Sequence, residues 1–265
     1  MAKNTIDLQG AAVIVTGSAR GLGAATAKLL AEQGCNVVVN HTKSADQAET
    51  VADACRAAGG QAIVCQANVA DDADCRRLAA AAIDKWGRID GLVNNAGTTK
   101  FCAHDDLEGL SAEDFQHVLA VNTVGPFQMV RAVAPQMKTQ GRGSVVNISS
   151  VAGLQGIGSS LAYIASKGGL NMMTVALARA LGPEIKVNAV CPGFIAGDWL
   201  RDGMGAERYD ATKAHLEAET PLRAVNDPED LAETVVFLVA NAPNITGELI
   251  TVDAGMGLLR GVRVR

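Results

Sequence analysis

The chain alternates short runs of β-branched and other apolar residues with longer stretches rich in alanine. The first run, residues 11–16 (AAVIVT), ends at a glycine turn and is typical of a parallel strand covered on both faces. The expected strands are residues 11–16, 36–39, 61–65, 90–93, 144–148, 185–190 and 249–252. The expected helices are residues 22–33, 44–58, 71–86, 112–138, 160–181 and 228–240, with a bend at Gly125-Pro126.

Strands joined by helical crossovers predict an α/β fold, a doubly wound parallel sheet of the Rossmann type with helices on both faces. A length of 265 residues suits one such domain, and no linker-like stretch divides the chain. We therefore expect one dinucleotide-binding and catalytic domain over residues 1–265. Residues 192–226 form one long irregular segment, and we expect a substrate lid at about residues 193–226 because long loops are usually functional.

The composition restricts the classes of function. Hydrophobic residues make up 48% of the chain, charged residues 19%, and the formal net charge is −5, which argues against disorder and against nucleic-acid binding. The six cysteines form no C-x-x-C pair, so we expect no metal site. The start, MAKNTIDLQG, lacks an apolar signal segment, and residues 144–166 are too polar for a membrane span. We expect a cytoplasmic protein without a membrane partner.

A glycine turn, residues 16–23 (TGSARGLG), lies between the first strand and the first helix. Its spacing departs from the G-x-G-x-x-G pattern of dinucleotide sites, but glycine still permits a tight turn. The helix that follows offers unpaired N–H groups to a pyrophosphate. A plain strand–helix turn is the alternative. The candidate contacts with a dinucleotide are Gly17, Ser18, Arg20, Gly21, Leu22 and Gly23.

The end of the second strand bears on the choice of cofactor. An NAD site places a carboxylate here to bind the ribose 2′-hydroxyl, but this chain has Asn40, His41 and Thr42, with no acidic residue before Asp46. These side chains can donate hydrogen bonds to a 2′-phosphate, and Arg20 can add a charge-assisted bond. We expect NADP(H), with NAD(H) as the alternative; the residues could also be ordinary turn residues.

Tyr163 and Lys167 are four residues apart in an expected helix, so they lie on one face, one turn apart. An ammonium about 4–5 Å from a phenol contributes roughly 3–4 kcal/mol at an effective dielectric near 20. That interaction lowers the phenol pKa by about two units before desolvation opposes it. Such a tyrosine can exchange a proton with a carbonyl or alcohol oxygen. A half-buried tyrosine beside a surface lysine is the alternative.

Two serines, Ser149 and Ser150, follow the expected strand 144–148 at the carboxyl edge of the sheet, where ligands of such sheets bind. The helix with Tyr163 starts shortly afterwards, so a serine hydroxyl and the phenol can converge. An ordinary turn is the alternative.

The chain resembles the short-chain dehydrogenase/reductase family, in the branch of the 3-oxoacyl-thioester reductases. The motifs that carry the resemblance are TGSARGLG at residues 16–23, Asn94-Asn95-Ala96-Gly97, Asn122, Ser150, Tyr163-x-x-x-Lys167 and Pro192-Gly193. They occur in the order typical of the family and cover most of the chain.

The resemblance implies hydride transfer between a nicotinamide and a carbonyl carbon or secondary alcohol, without a metal. It implies that Tyr163 is the general acid and base and that Lys167 lowers its pKa and holds the nicotinamide ribose. It also implies that Ser150 hydrogen-bonds the substrate oxygen, with Ser149 only a neighbour, and that Asn122 holds a water that relays protons to Lys167.

Further cofactor contacts follow from the resemblance. Asn68 and Val69 are expected to hold the adenine, and Gly197 replaces a threonine that often binds the carboxamide, which leaves the backbone of Ile195. The remaining expected contacts are Asn95, Ala96, Gly97, Pro192 and Gly193.

The substrate remains open between a 3-oxoacyl thioester and a small alcohol, sugar or polyol. Gly182-Pro183-Glu184 after the active-site helix offers no basic patch for an acidic carrier protein. Trp199 and Tyr209 either shield an apolar pocket or pack the lid onto the body. A non-catalytic dinucleotide sensor is disfavoured because it needs no proton-transfer residues. The resemblance implies a homotetramer, with a homodimer as the alternative.

Overall fold

The centre of the protein is a seven-stranded parallel sheet, seen in a computed structural model that describes residues 5–259. The strand order is β3-β2-β1-β4-β5-β6-β7, which confirms the predicted doubly wound α/β fold. The strands are β1 (Ala12–Val15), β2 (Asn36–His41), β3 (Ala62–Gln66), β4 (Gly91–Asn94), β5 (Gly143–Ile148), β6 (Ile185–Pro192) and β7 (Leu249–Val252).

Helices connect consecutive strands and cover both faces of the sheet. The helices are α1 (Gly21–Glu32), α2 (Ala45–Ala57), α3 (Asp72–Trp86), α4 (Ala112–Leu119), α5 (Gly125–Gln140), α6 (Ala152–Gln155), α7 (Leu161–Leu181), α8 (Asp198–Met204), α9 (Ala206–Glu219) and α10 (Pro228–Ala240). None of these helices is long and apolar enough to traverse a lipid bilayer.

Within residues 5–259, one apolar core lies against each face of the sheet, because successive side chains of a strand point to opposite faces. Val13 and Val15 of β1 pack in the core beneath α1, α2 and α10, whereas Ile14 packs in the core beneath α3 and α5. Both faces of the first strand are buried, and this explains why all of its residues are apolar.

The stretch expected as one bent helix, residues 112–138, contains two helices joined by a π turn. The π turn (Ala120–Val124) lies directly before Gly125, whose N–H donates to the carbonyl of Ala120. Pro126 occupies the first turn of α5, where its missing N–H costs no hydrogen bond. The predicted position of the bend is therefore close to the observed break.

The prediction that residues 192–226 are irregular was wrong, because α8 and α9 lie within this segment. Their pattern is weak for a physical reason: α8 has seven residues, and α9 buries only Tyr209 and Leu216. A short helix and a mostly exposed helix give little apolar periodicity.

Lys186 is an unusual core residue. It lies on β6, is 3% exposed, and its Nζ has no hydrogen-bond partner within residues 5–259. Burial lowers the pKa of Lys186 from 10.5 to about 8. Between these two values the unfolded chain binds more protons than the folded protein, so the contribution of Lys186 makes stability rise with pH in this window.

We predict that Lys186→Met stabilises the protein at pH 7, by on the order of 2–3 kcal/mol, because the charged amine no longer has to be buried. The gain should shrink as pH rises from about 8 to 10.5, where the wild-type amine is neutral in the fold. Urea denaturation of both proteins at pH 7 and pH 9.5, at one protein concentration, measures the difference. A gain independent of pH would contradict the assignment to Lys186.

Candidate active site

A cleft of about 1630 Å³ lies at the carboxyl ends of the strands. It extends from the glycine turn and the end of β2 to Ser150, Tyr163 and the α8 segment. This is the position at which doubly wound sheets bind their ligands.

The glycine turn depends on close backbone packing. Gly17 has φ +62°, and a Cβ there would lie 2.9 Å from Cα of Ala96. Gly21 has φ +55°, and a Cβ there would meet no atom within 4 Å; the residue is exposed and borders the cleft. The start of α1 is thus bare backbone facing the cleft, which suits a pyrophosphate.

Asn95 and Thr16 hold the glycine turn in place. Asn95 Nδ2 donates to the carbonyls of Thr16 (2.9 Å) and Gly17 (3.0 Å). Thr16 Oγ1 accepts from the backbone N–H groups of Asn95 and Ala96, both at 3.0 Å. The side chain of Asn95 therefore shapes the cofactor end. Thr16 was not among the candidate residues, although it opens the TGSARGLG motif.

Two expected cofactor contacts in the turn do not border the cleft. Ser18 is buried; its Oγ donates to the carbonyl of Val15 (2.7 Å) and accepts from the N–H of Asn40. A Cβ on Gly23 would lie 2.4 Å from Asn95 Nδ2, so this glycine permits packing. Both residues are therefore used inside the turn, and their expected contacts with a cofactor stay predictions.

Asn40 borders the cleft, but its side chain is bonded to protein groups; its contact with a 2′-phosphate stays a prediction. Asn40 is 2% exposed, its Oδ1 accepts from the N–H of Gly17 (2.9 Å), and its Nδ2 donates to three carbonyls, those of His41, Cys65 and Ala67. Asn40 ties the glycine turn to β2 and β3.

Several side chains remain at this end of the cleft. His41 is mostly buried with Nδ1 unpartnered among the described residues, whereas Thr42 is exposed, as is Arg20 in the glycine turn. Lys43 also borders the cleft, is exposed and was not predicted. Its cationic charge directly after Thr42 was the available signal.

Ser150 and Tyr163 converge as expected. Ser150 follows β5, and Tyr163 stands in the first turn of α7, whose N-cap Ser160 accepts from the N–H of Tyr163 (3.2 Å). Burial raises the pKa of Tyr163 to about 12, and a hydrogen bond with Ser150 acts in the opposite direction. The expected net lowering of the Tyr163 pKa was wrong, because desolvation by burial is the largest effect and the hydrogen bond with Ser150 offsets only part of it.

Lys167 is buried one turn after Tyr163. Its Nζ donates to the carbonyl of Ile148 (2.8 Å) and lies 5.6 Å from the centroid of the Tyr163 ring. Burial lowers the pKa of Lys167 to about 8. A Cβ on Gly97 would lie 3.8 Å from Lys167 Nζ, so the turn after β4 reaches the lysine.

Asn122 is fully buried in the π turn and does not border the cleft. Its Oδ1 accepts from the N–H of Thr98 (2.8 Å), and its Nδ2 donates to the carbonyl of Thr98 and to Ser166 Oγ. These bonds join the segment after β4 to α7. The side chain is thus engaged with protein groups beside Lys167, and the expected water relay at Asn122 stays a prediction.

The two adjacent serines have different surroundings. Ser149 is buried, and its Oγ donates to Asn171 Oδ1 at 2.5 Å. Both serines border the cleft, but Ser150 is only half-buried; its Oγ accepts from the N–H of Ala152 (3.1 Å), and its side chain is hydrogen-bonded with Tyr163. Ser149 therefore packs α7 against β5, while Ser150 faces the ligand space.

The other expected cofactor contacts border the cleft. Asn68 uses Oδ1 to accept from the N–H of Ala70, and Val69 is buried beside it. The expected cofactor residues that border the cleft are Gly17, Arg20, Gly21, Leu22, Asn40, His41, Thr42, Asn68, Val69, Asn95, Ala96, Gly97, Tyr163, Lys167, Pro192, Gly193 and Ile195.

In the α8–α9 segment, one of the two aromatic side chains considered above packs against the body and the other borders the cleft. Tyr209 is buried against Phe194, with ring centroids 5.3 Å apart, and its hydroxyl accepts from the N–H of Gly197 (3.0 Å). Trp199 borders the cleft and lies 6.1 Å from the Tyr163 ring. Tyr209 therefore packs the segment onto the body, and Trp199 faces the ligand space. Residues 5–259 contain no cluster of three or more side chains suited to a metal ion.

Comparisons with known proteins match this geometry. A family model described as enoyl-(acyl carrier protein) reductase matches residues 17–257. A protein from Streptomyces violaceoruber, described as ketoacyl reductase 2 of the granaticin polyketide synthase, is 40% identical over 93% of this chain and 96% of its own length. A 3-oxoacyl-[acyl-carrier-protein] reductase from Staphylococcus epidermidis is 36% identical over 92% and 97% of the two chains.

Solved structures agree with the curated relatives. A chain described as a short-chain dehydrogenase/reductase from Burkholderia xenovorans superposes with a TM-score of 0.87 at 39% identity, covering 94% of this chain and 98% of that one. An NAD⁺-bound xylitol dehydrogenase gives 0.86 at 26% identity, covering 94% and 100%. The expected resemblance is confirmed: the chain belongs to the short-chain dehydrogenase/reductase family, whose oxidoreductases use a nicotinamide cofactor to interconvert carbonyl and alcohol groups.

Proposed function

We propose that this enzyme uses NADPH to reduce the ketone of a 3-oxoacyl thioester to a secondary alcohol. The observation that carries the proposal is the meeting of Ser150, Tyr163 and Lys167 in the cleft that also contains the glycine turn. Relatives named as 3-oxoacyl-[acyl-carrier-protein] or ketoacyl reductases support the thioester. The NAD⁺-bound xylitol dehydrogenase makes a polyol dehydrogenase the second candidate.

In this mechanism Tyr163 donates its phenolic proton to the carbonyl oxygen. The phenol pKa of about 12 keeps that proton in place at neutral pH until charge develops on the substrate oxygen. Ser150 holds the same oxygen by a hydrogen bond, and Lys167 stabilises the phenolate that remains. The pKa of Lys167, about 8, leaves the amine mostly charged at pH 7. Asn122 acts as a positioning residue.

The cofactor end fits a dinucleotide. A side chain at Gly21 would extend into the cleft from the N-terminus of α1, where only backbone is present. Gly17 and Gly21 would hold the pyrophosphate, Asn68 and Val69 the adenine, and Lys167 the nicotinamide ribose. When bound, the nicotinamide supplies the hydride that the carbonyl carbon receives.

The proposed preference for NADP(H) rests on charge. No acidic residue stands at the end of β2, while Arg20 and Lys43 both border the cleft with exposed side chains. Two cations and the Thr42 hydroxyl attract a 2′-phosphate, whereas a carboxylate would repel it.

The domain organisation and assembly belong to the same proposal. One catalytic domain spans residues 1–265; the ends of this range, 1–4 and 260–265, lie outside the described residues, and the segment at about 193–226 acts as the substrate lid. Val124 at the end of the π turn, Phe127 on α5 and Met172 on α7 are exposed apolar side chains, which supports burial in a homotetramer or homodimer. A cytoplasmic location stays a prediction.

We predict that Tyr163→Phe lowers kcat for ketone reduction by at least about a thousandfold, because general acid catalysis is lost. The dissociation constant for NADPH should change less than about threefold. Steady-state NADPH oxidation with 3-oxoacyl thioesters and fluorescence titration of the cofactor measure the two quantities. A fully active Tyr163→Phe variant would contradict the mechanism. Reduction of enoyl thioesters but not of 3-oxoacyl thioesters by the wild type would overturn the substrate assignment.

The adjacent serines provide a matched pair. Ser150→Ala should lower kcat by about a hundredfold and leave the Tm within a few degrees, because Ser150 faces the cleft. Ser149→Ala should instead lower the Tm by several degrees while kcat changes only a few-fold, because Asn171 loses its buried partner. Kinetics and thermal denaturation of both variants test this, and the reverse pattern would move the catalytic role to Ser149.

We also predict that NADPH binds more tightly than NADH and that replacing Arg20 and Lys43 by alanine removes this preference. Loss of two charge-assisted contacts should weaken NADPH binding by about tenfold or more and leave NADH binding nearly unchanged. Titration of both cofactors against both proteins measures this. Tighter binding of NADH by the wild type would disprove the preference.

A further inference from the structure

The aromatic side chains of this protein are few and unevenly placed. The chain has two tryptophans, two tyrosines and five phenylalanines. Three of these rings, those of Phe101, Tyr163 and Trp199, form a chain of contacts at the substrate end of the cleft. The centroid of Trp199 lies 5.9 Å from that of Phe101 and 6.1 Å from that of Tyr163.

These contacts leave part of the indole surface of Trp199 uncovered. The plane of the indole is tilted by 54° to the ring of Phe101 and by 45° to the ring of Tyr163, so neither ring stacks flat on it. Trp199 is 39% exposed and borders the cleft. A large apolar surface therefore remains open beside the proposed proton donor.

The position of the indole is fixed by the packing of α8 and of the helix that follows it. Gly203 lies one turn after Trp199 on α8, and a Cβ there would lie within the ring of Phe101. Glycine thus allows α8 to approach Phe101 closely, while Tyr209 anchors the following helix through its hydrogen bond with Gly197. Because both ends of the contact are packed, the indole is a formed surface that needs little rearrangement to receive a ligand.

We infer that Trp199 determines substrate specificity by stacking a flat, conjugated group attached to the reactive ketone, such as an aryl ring. This inference rests on the proposed ketone reduction and names the chemical class of the 3-oxoacyl substituent. Offset or edge-to-face contacts between rings contribute about 0.5–1.5 kcal/mol beyond the burial of area, and saturated rings lack this contribution. An aryl group held there places its ketone beside the Tyr163 hydroxyl.

Two substrates of nearly equal volume separate stacking from simple burial. They are the N-acetylcysteamine thioesters of 3-oxo-3-phenylpropanoate and 3-oxo-3-cyclohexylpropanoate. In each, the ketone carbon receives the hydride of NADPH and the oxygen receives the proton of Tyr163. We expect Trp199→Leu to lower kcat/KM for the phenyl substrate about tenfold and for the cyclohexyl substrate less than about threefold. Comparing wild type with variant for each substrate cancels the difference in ketone reactivity.

Two further variants complete the design. Trp199→Phe, which keeps a ring, should restore most of the preference for the phenyl substrate. Trp86→Phe, at the end of α3 and outside the cleft, should leave the preference unchanged. Equal losses for both substrates in Trp199→Leu would show that Trp199 only packs the segment, and would overturn the inference.

A binding measurement separates this inference from the proposed function. In Trp86→Phe, Trp199 is the remaining tryptophan of the chain, so its emission reports on this position alone. The phenyl thioester should quench that emission at lower concentration than the cyclohexyl thioester, with or without turnover. Quenching without reduction would disprove the proposed function and keep the stacking; reduction without a difference in quenching would disprove the stacking alone.

Discussion

The hydrogen bond from Lys167 Nζ to the carbonyl of Ile148 joins the helix that contains Tyr163 to the strand that Ser150 follows. A buried amine is costly without an acceptor, and the last residue of β5 supplies one. That bond holds α7 against the end of β5, so Tyr163, one turn earlier, faces the residue that follows the strand by two positions, Ser150. The geometry of the site is therefore a consequence of joining one helix to one strand end.

Burial gives the two titrating groups opposite shifts. The pKa of Tyr163 rises and that of Lys167 falls, because both charged forms lose solvation in the same place. A neutral phenol beside an ammonium is the state needed to give a proton away. In the proposed reaction, the Tyr163 phenolate would be the negative charge that balances the Lys167 ammonium, so each group would offset the desolvation penalty of the other. The buried site therefore disfavours either charge alone more than it disfavours the two opposite charges together.

Much of the fold could be predicted because buried strands and amphipathic helices leave periodic apolar patterns. The convergence of Ser150 with Tyr163 followed from strand-end geometry. The engagement of Asn40 and Ser18 could not be predicted, since a polar side chain that binds backbone carbonyls has the same sequence signal as one that binds a ligand. The helices α8 and α9 were missed because their few buried residues give no clear period.

The two ends of the cleft differ in what builds them. The cofactor end consists largely of backbone and of glycines whose side chains would collide or extend into the cleft, with Asn40, Asn95 and Thr16 binding that backbone. Such a site is recognisable as a motif because few residue types satisfy it. The substrate end consists of side chains from α8 and the segment after β4, where Trp199 meets Phe101. Many residue types can occupy those positions, so the motifs identify the class of reaction, whereas they do not identify the substrate.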